Sequence, residues 1–223
     1  MAKFDLLGRS REFADTLNDL LNGTVCRGIH LQPAVDKRTG SVIISYRPNR
    51  EDLGDIVGIP FCPTGKPKVH LGLSVRLRPD RSNLFLMVVS SAMILALDSA
   101  LEKTLLHYDY ERDKPLYPEA HVQVCASSDH WEELLGDRPL KRLHLPVGGR
   151  RFRPTLEDVV EFVIAEKILP GLPGWEGVIE ESRRAFQMRQ LRAAIRNHPD
   201  VAQEELSRIS REEPAPDERG SAG

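Results

Sequence analysis

Cysteine is scarce in this chain: Cys26, Cys62 and Cys125 are the only three in 223 residues, and no two share a paired spacing. An odd, scattered set does not make a disulfide framework and suits a reducing cytoplasm, the expected location. Long apolar runs are lacking as well. The longest begins at Leu84–Val89 and continues through AMILAL, but Ser90 and Ser91 interrupt it and Asp98 ends it. That run is too short for a membrane span. The opening MAKFDLLGRSREF has no apolar core of a signal peptide, so no membrane association is expected. Nor is there an excess of basic charge: the formal net charge is −2, with a pI near 6.4. These values disfavour a globally basic nucleic-acid binder and a polybasic membrane protein, although a local basic patch is compatible with them. There is no internal repeat and no motif that by itself identifies a reaction.

What is present is an ordinary globular balance, 40% hydrophobic and 29% charged residues, enough for a sizeable core. The pattern predicts a sheet domain over residues 1–170, a helical arm over 171–211 and a disordered tail over 212–223. A first helix is expected from an N-cap at Ser10, with Phe13, Leu17, Leu20 and Leu21 on one side and Gly23 at its end. A strand is expected over Val25–Leu31, then a turn at DKRTG and a partner strand at SVIISY. Residues 47–68, rich in proline and glycine, read as a loop.

The clearest hairpin follows. Val69, Leu71, Leu73, Val75 and Leu77 alternate with His70, Gly72, Ser74, Arg76 and Arg78, and PDRSN supplies the turn into Leu84–Val89. The run MILAL suits either a strand resumed after a bulge at the serines or a helix; the strand is preferred, with a turn at DSALEK. Further strands are expected at Leu105–Tyr110, His121–Cys125 and Arg142–Val147. Thr155 is placed as the N-cap of a helix whose apolar side is Leu156, Val159, Val160, Val163, Ile164 and Ile168. After PGLPG a longer helix should run from Trp175 toward Asn197, where Pro199 interrupts. Strands in the middle and helices at the ends define an α+β fold, a mostly antiparallel sheet with the N-terminal and C-terminal helices packed on one face.

Alternation along strands assigns side chains to faces. Leu106, Tyr108 and Tyr110 fall together, with His107 and Asp109 opposite them. His121, Gln123 and Cys125 oppose Val122 and Val124, and Arg142 and His144 oppose Leu143, Leu145 and Val147. With His70, Arg76 and Arg78, one face would gather four histidines, three arginines, Asp109 and Gln123. Such a face is either the solvated side of a sheet or a site, and histidine with arginine suits proton transfer and phosphate contact. His121 and His144, on separate strands, are the expected acid and base for RNA cleavage. Asp109 would orient one imidazole, and Arg76 or Arg142, with Gln123, would meet the substrate. His107, Asp109, His121 and His144 are chemically adequate metal ligands, but their spacing matches no metal signature. The expectation is a site without metal or cofactor.

The stretch YDYERDKPLYPEAHVQV…LKRLHLPVGGRRFRPTLEDVVEFV resembles the TumE-type toxins of bacterial toxin–antitoxin pairs over residues 105–165. That family has a Tyr-Asp on one strand, a His-bearing strand and a helix after the last strand. The matching positions are Tyr108 and Asp109, His121, His144, and Thr155–Val159. The chain departs from the pattern in lacking a dense His cluster on the second strand and in its larger N-terminal half and added helix. The resemblance implies a toxin- or defence-associated protein acting on RNA, with Tyr108 among the catalytic residues and an antitoxin as partner. A different function is equally open. The helix after Trp175 carries Arg189, Arg192 and Arg196 in one stripe, and would serve a non-catalytic interaction module or a homo-oligomer.

Overall fold

The computed structural model describes residues 4–114, 116, 118–126, 145–147 and 153–212. Helix α1, Leu6–Thr24, starts four residues before the expected cap. Asp5, not Ser10, caps it, its carboxylate accepting from the Gly8 N–H at 2.9 Å. Ser10 lies inside the helix and turns its hydroxyl back onto the Leu6 carbonyl at 2.7 Å.

The strand expected at Val25–Leu31 begins only at its last residue. Asn22 and Asn18, on α1, explain why. The Asn22 side chain accepts from the Ile29 N–H and donates to the Ile29 carbonyl, at 2.9 and 2.8 Å. Asn18 does the same for Leu31, at 2.7 and 3.3 Å. With its backbone groups satisfied by these amides, the segment has no need of a ladder. Strand β1 is therefore Leu31–Asp36, at the sheet edge, where Pro33 is tolerated.

From there the sheet is antiparallel throughout its described pairs. Its strands are β2 (Ser41–Tyr46), β3 (Ile59–Phe61), β4 (Val69–Pro79), β5 (Leu86–Ala96), β6 (Thr104–Glu111), β7 (Ala120–Val124) and β8 (Leu145–Pro146). The order is β1-β2-β4-β5-β6-β7-β8, and β3, which falls in the expected 47–68 loop, pairs with β4. Of the strand expected at Arg142–Val147, residues 142–144 lie outside the described residues.

The two apolar runs either side of Ser90 and Ser91 are one strand. Leu77 pairs with Val88 but Arg76 pairs with Ser90, so Val89 is the extra residue of a bulge. The bulge changes the phase of alternation. Leu86 and Val88 pack against the core before it, Met93 and Leu95 after it. The turn back to β6 is held by Asp98, whose carboxylate accepts from the N–H groups of Glu102 and Lys103 at 3.0 and 2.7 Å. Leu101, at φ +61, folds over Gly72; a Cβ there would sit 2.5 Å from its Cδ1.

One face of the sheet carries the core. Leu71, Leu73, Val75, Leu77, Met93 and Leu95 meet Leu17, Leu20 and Leu21 of α1 and Leu156, Val159, Val160 and Val163 of α2, Leu156–Ala165. Thr155 precedes α2 as expected, and the Asp158 carboxylate accepts from its N–H at 2.8 Å. Helix α3 runs from Trp175 to Asn197, and Pro199 starts a further helix, α4, Pro199–Glu212. Pro199 sits in the first turn, where a missing N–H costs nothing. A first compact unit extends to Ser182 and a second begins at Arg183, within α3. Residues 213–223, most of the expected tail, lie outside the described residues.

Candidate functional site

The β6–β7 register brings together Asp109, His121 and Gln123 of the expected site, with His107 beside them. Asp109 is paired with His121 and His107 with Gln123, all four on the face away from the core. His107 and Asp109 alternate with Tyr108 and so point the same way from one strand. The His107 Nδ1 lies 2.7 Å from the Asp109 Oδ2. A carboxylate only accepts, so Nδ1 donates, and in the neutral imidazole Nε2 is then the lone-pair nitrogen. Nε2 has no partner among the described residues, and the His107 side chain is 25% exposed. Ala92 and Ile94 of β5 flank the pair and do not compete for its hydrogen bonds.

His121 stands differently. Only 3% of its side chain is exposed, and its Nδ1 donates to the Pro118 carbonyl at 2.9 Å. Its Nε2 is 3.7 Å from the same Asp109 oxygen that binds His107. This imidazole is thus buried and tied to a backbone carbonyl beside Asp109.

Tyr108 does not join them. It faces the core, where burial and then the charge of Asp158 raise its phenol above the ordinary value. Arg76 is on the polar face but with β5 between it and β6, roughly 10 Å away laterally. Its guanidinium donates to Asp36 Oδ2 and Ser41 Oγ, both at 2.8 Å, and to Thr39 Oγ1 at 3.3 Å. An arginine so committed braces β4 to the β1–β2 turn. Arg142 and His144 lie outside the described residues. Among the described residues no group of three or more His, Cys, Asp or Glu is arranged to hold a metal ion.

His107, placed on the polar face by alternation but not among the expected catalytic residues, makes the contact with Asp109; its signal in the sequence is the His-x-Asp step on one strand, which sets an imidazole and a carboxylate side by side.

The Asp36 brace carries a pH prediction. Arg76, then Thr39, hold the Asp36 carboxyl well below the usual carboxylate range. Because the folded value is depressed, the brace stabilises fully above the unfolded value, about 4, and is lost as pH falls below it. In urea unfolding, the stability gap between the wild type and Asp36→Asn is expected to be wide at pH 7 and to shrink steadily below about pH 4. A gap that stays constant with pH would show that the charge on Asp36 is not what matters.

Comparison with family models, with curated proteins and with solved structures finds no match for the chain.

Proposed function

We propose that this chain cleaves RNA by general acid–base catalysis on the polar face of its sheet, as a toxin- or defence-associated protein. The observation that carries the reading is the 2.7 Å His107–Asp109 contact, with the second imidazole nitrogen left open at a partly exposed position. Asp109 fixes the tautomer and orientation of His107, as an orienting carboxylate does for a catalytic histidine. His107 Nε2 then takes the proton of a ribose 2′-hydroxyl, the 2′ oxygen attacks the adjacent phosphorus, and the bond to the 5′ oxygen breaks. His144, the second histidine matched by the TumE-type resemblance, is proposed as the acid that protonates the departing 5′ oxygen. Gln123, beside His107 on β7, is proposed to hold the substrate.

The test is direct. Purified full-length chain with labelled single-stranded RNA and EDTA should yield fragments ending in a 2′,3′-cyclic phosphate, and Asp109→Asn should slow their appearance. Intact RNA, or equal cleavage by Asp109→Asn, would overturn the reading.

A second reading rests on a separate observation. Helix α3 exposes Met188, Leu191 and Ile195 at helical spacing, and α4 exposes Val201, Leu206 and Ile209. Apolar side chains aligned in this way suit a protein partner, such as an antitoxin or a second copy of the chain.

A further inference from the structure

The apolar stripe of the second unit, which begins at Arg183, reads the same from either end. Met188, Leu191 and Ile195 follow steps of three and then four residues along α3, and Ala202, Leu206 and Ile209 follow steps of four and then three along α4. The turning point lies between His198 and Pro199. Counted outward from it, Ile195 and Ala202 are equally distant, then Leu191 and Leu206, then Met188 and Ile209. In heptad terms α3 reads a-d-a and α4 reads d-a-d.

The chain does not cover this stripe itself. His198 alone separates the two helices, its N–H donating to the Ala194 carbonyl at 3.0 Å and its carbonyl accepting from the Ala202 N–H at 3.1 Å. One residue is too short a link for two helices to fold back on one another. No other element packs along α4 among the described residues. A symmetric pattern is what a two-fold interface demands, because residue i must meet residue j while j meets i. A partner of different sequence imposes no such symmetry.

We propose that two copies of this chain associate through their arms, α3 of each lying antiparallel along α4 of the other about a two-fold axis at His198–Pro199. Such a rotation carries α4 onto the line of α3 with its direction reversed, whatever the angle between the two helices. Met188 then meets Ile209 of the second copy, Leu191 meets Leu206 and Ile195 meets Ala202, so every layer joins an a position to a d position. This dimer rests on the reading of the arm as a protein-binding surface and names its occupant. It is independent of the RNA site.

Charge sets the direction. From Arg183 to Asn197 the chain carries Arg183, Arg184, Arg189, Arg192 and Arg196 and no carboxylate, whereas α4 opens with Asp200, Glu204 and Glu205. A parallel pair would lay the arginine-rich stretches side by side, and like charges so placed repel. The antiparallel pair sets Arg192 and Arg196 level with Asp200, Glu204 and Glu205 of the second copy. Arg208, level there with Arg189, is already paired with Glu205 of its own helix, its Nε donating to Oε2 at 3.1 Å.

Sedimentation equilibrium of the full-length chain, carried to about 100 μM, is expected to show a reversible monomer–dimer equilibrium. Leu191→Glu and Leu206→Lys replace side chains that are 52% and 61% exposed, so both variants should fold, with unchanged far-ultraviolet circular dichroism. Each alone should weaken the dimer about tenfold or more, because it sets a charge against an apolar layer. Mixed one to one, the two variants should pair with each other, since the introduced acid on one copy faces the introduced base on the other. The double variant should recover the dimer for the same reason. A full chain that stays monomeric throughout that range would overturn the dimer while leaving the arm as a surface for a different protein. A dimer indifferent to both single substitutions would overturn it as well. So would a mixture and a double variant no tighter than the single ones, which would show that positions 191 and 206 do not meet.

Discussion

His107→Ala is expected to lower RNA cleavage by roughly 10²–10⁴-fold, the usual contribution of a positioned general base. Its stability should change little. The side chain is partly exposed and makes one described hydrogen bond, to Asp109, so a change within about 1 kcal/mol is expected. His121→Ala should behave in the opposite way. It removes an imidazole that is 3% exposed and strips the Pro118 carbonyl of its donor, and both losses fall on the folded state. A cost of about 2 kcal/mol or more follows from the void and the unsatisfied carbonyl. Below its lowered Tm, His121→Ala should retain part of the activity, since Asp109 still has His107 to orient. Urea unfolding and initial cleavage rates on the same preparations separate the two roles. If instead His121→Ala abolishes cleavage with an unchanged Tm while His107→Ala cleaves normally, His121 is the base and the sequence expectation stands.

The same residues show where the sequence was readable. Alternation placed His107, Asp109, His121 and Gln123 on one face, and the β6–β7 register agrees residue for residue. Depth was not readable. Whether a histidine on that face is open or covered depends on Pro118, which curls its carbonyl back onto His121 from the β6–β7 connection. Pairing was equally hidden for Arg76. No spacing rule announces that Asp36, on the far side of β2, will claim its guanidinium.

The fold shows the same division. Strict alternation in β4 was enough to find the central hairpin, because a half-buried strand writes its period into the chain. The strand at Val25–Leu31 was misplaced because two asparagines on α1 satisfy that backbone, an event between residues of different elements. The runs on either side of Ser90 and Ser91 do not share one alternation because a bulge at Val89 moves the core side of β5 by one residue. The stacking of the Arg153 guanidinium on the Tyr110 ring, 4.4 Å from its centre, was beyond reach for a related reason, since Arg153 comes from the approach to α2 and meets β6 only once the helix has packed.

The largest effect on stability is expected from where the chain is cut. The arm was expected to begin at residue 171, but the segment after Leu169 contributes to the first unit. Leu172 is 8% exposed and Ile179 is 2% exposed, and Trp175 and Val178 pack on the same core. The Leu172 N–H donates to the Thr24 carbonyl at 2.7 Å, tying this segment to the end of α1. Ser182 donates to the buried Glu157 at 2.6 Å. A chain ending at Leu169 loses all of these. At about 1.5–3 kcal/mol for each fully buried aliphatic side chain, Leu172 and Ile179 alone contribute roughly 3–6 kcal/mol. A domain holds only about 5–15 kcal/mol in total, so that truncation should be largely unfolded or aggregated at 37 °C. A chain ending at Ser182 keeps every one of these contacts and removes the exposed Met188, Leu191, Ile195, Val201, Leu206 and Ile209. Its Tm should lie close to that of the full chain. Light scattering on the same sample tests the second function: if the arm is the contact between copies, any oligomer of the full chain becomes a monomer at Ser182. Equal stability of the two truncations would show that α3 adds nothing to the core. An unchanged oligomeric state after the cut at Ser182 would leave the exposed stripe to a partner of different sequence.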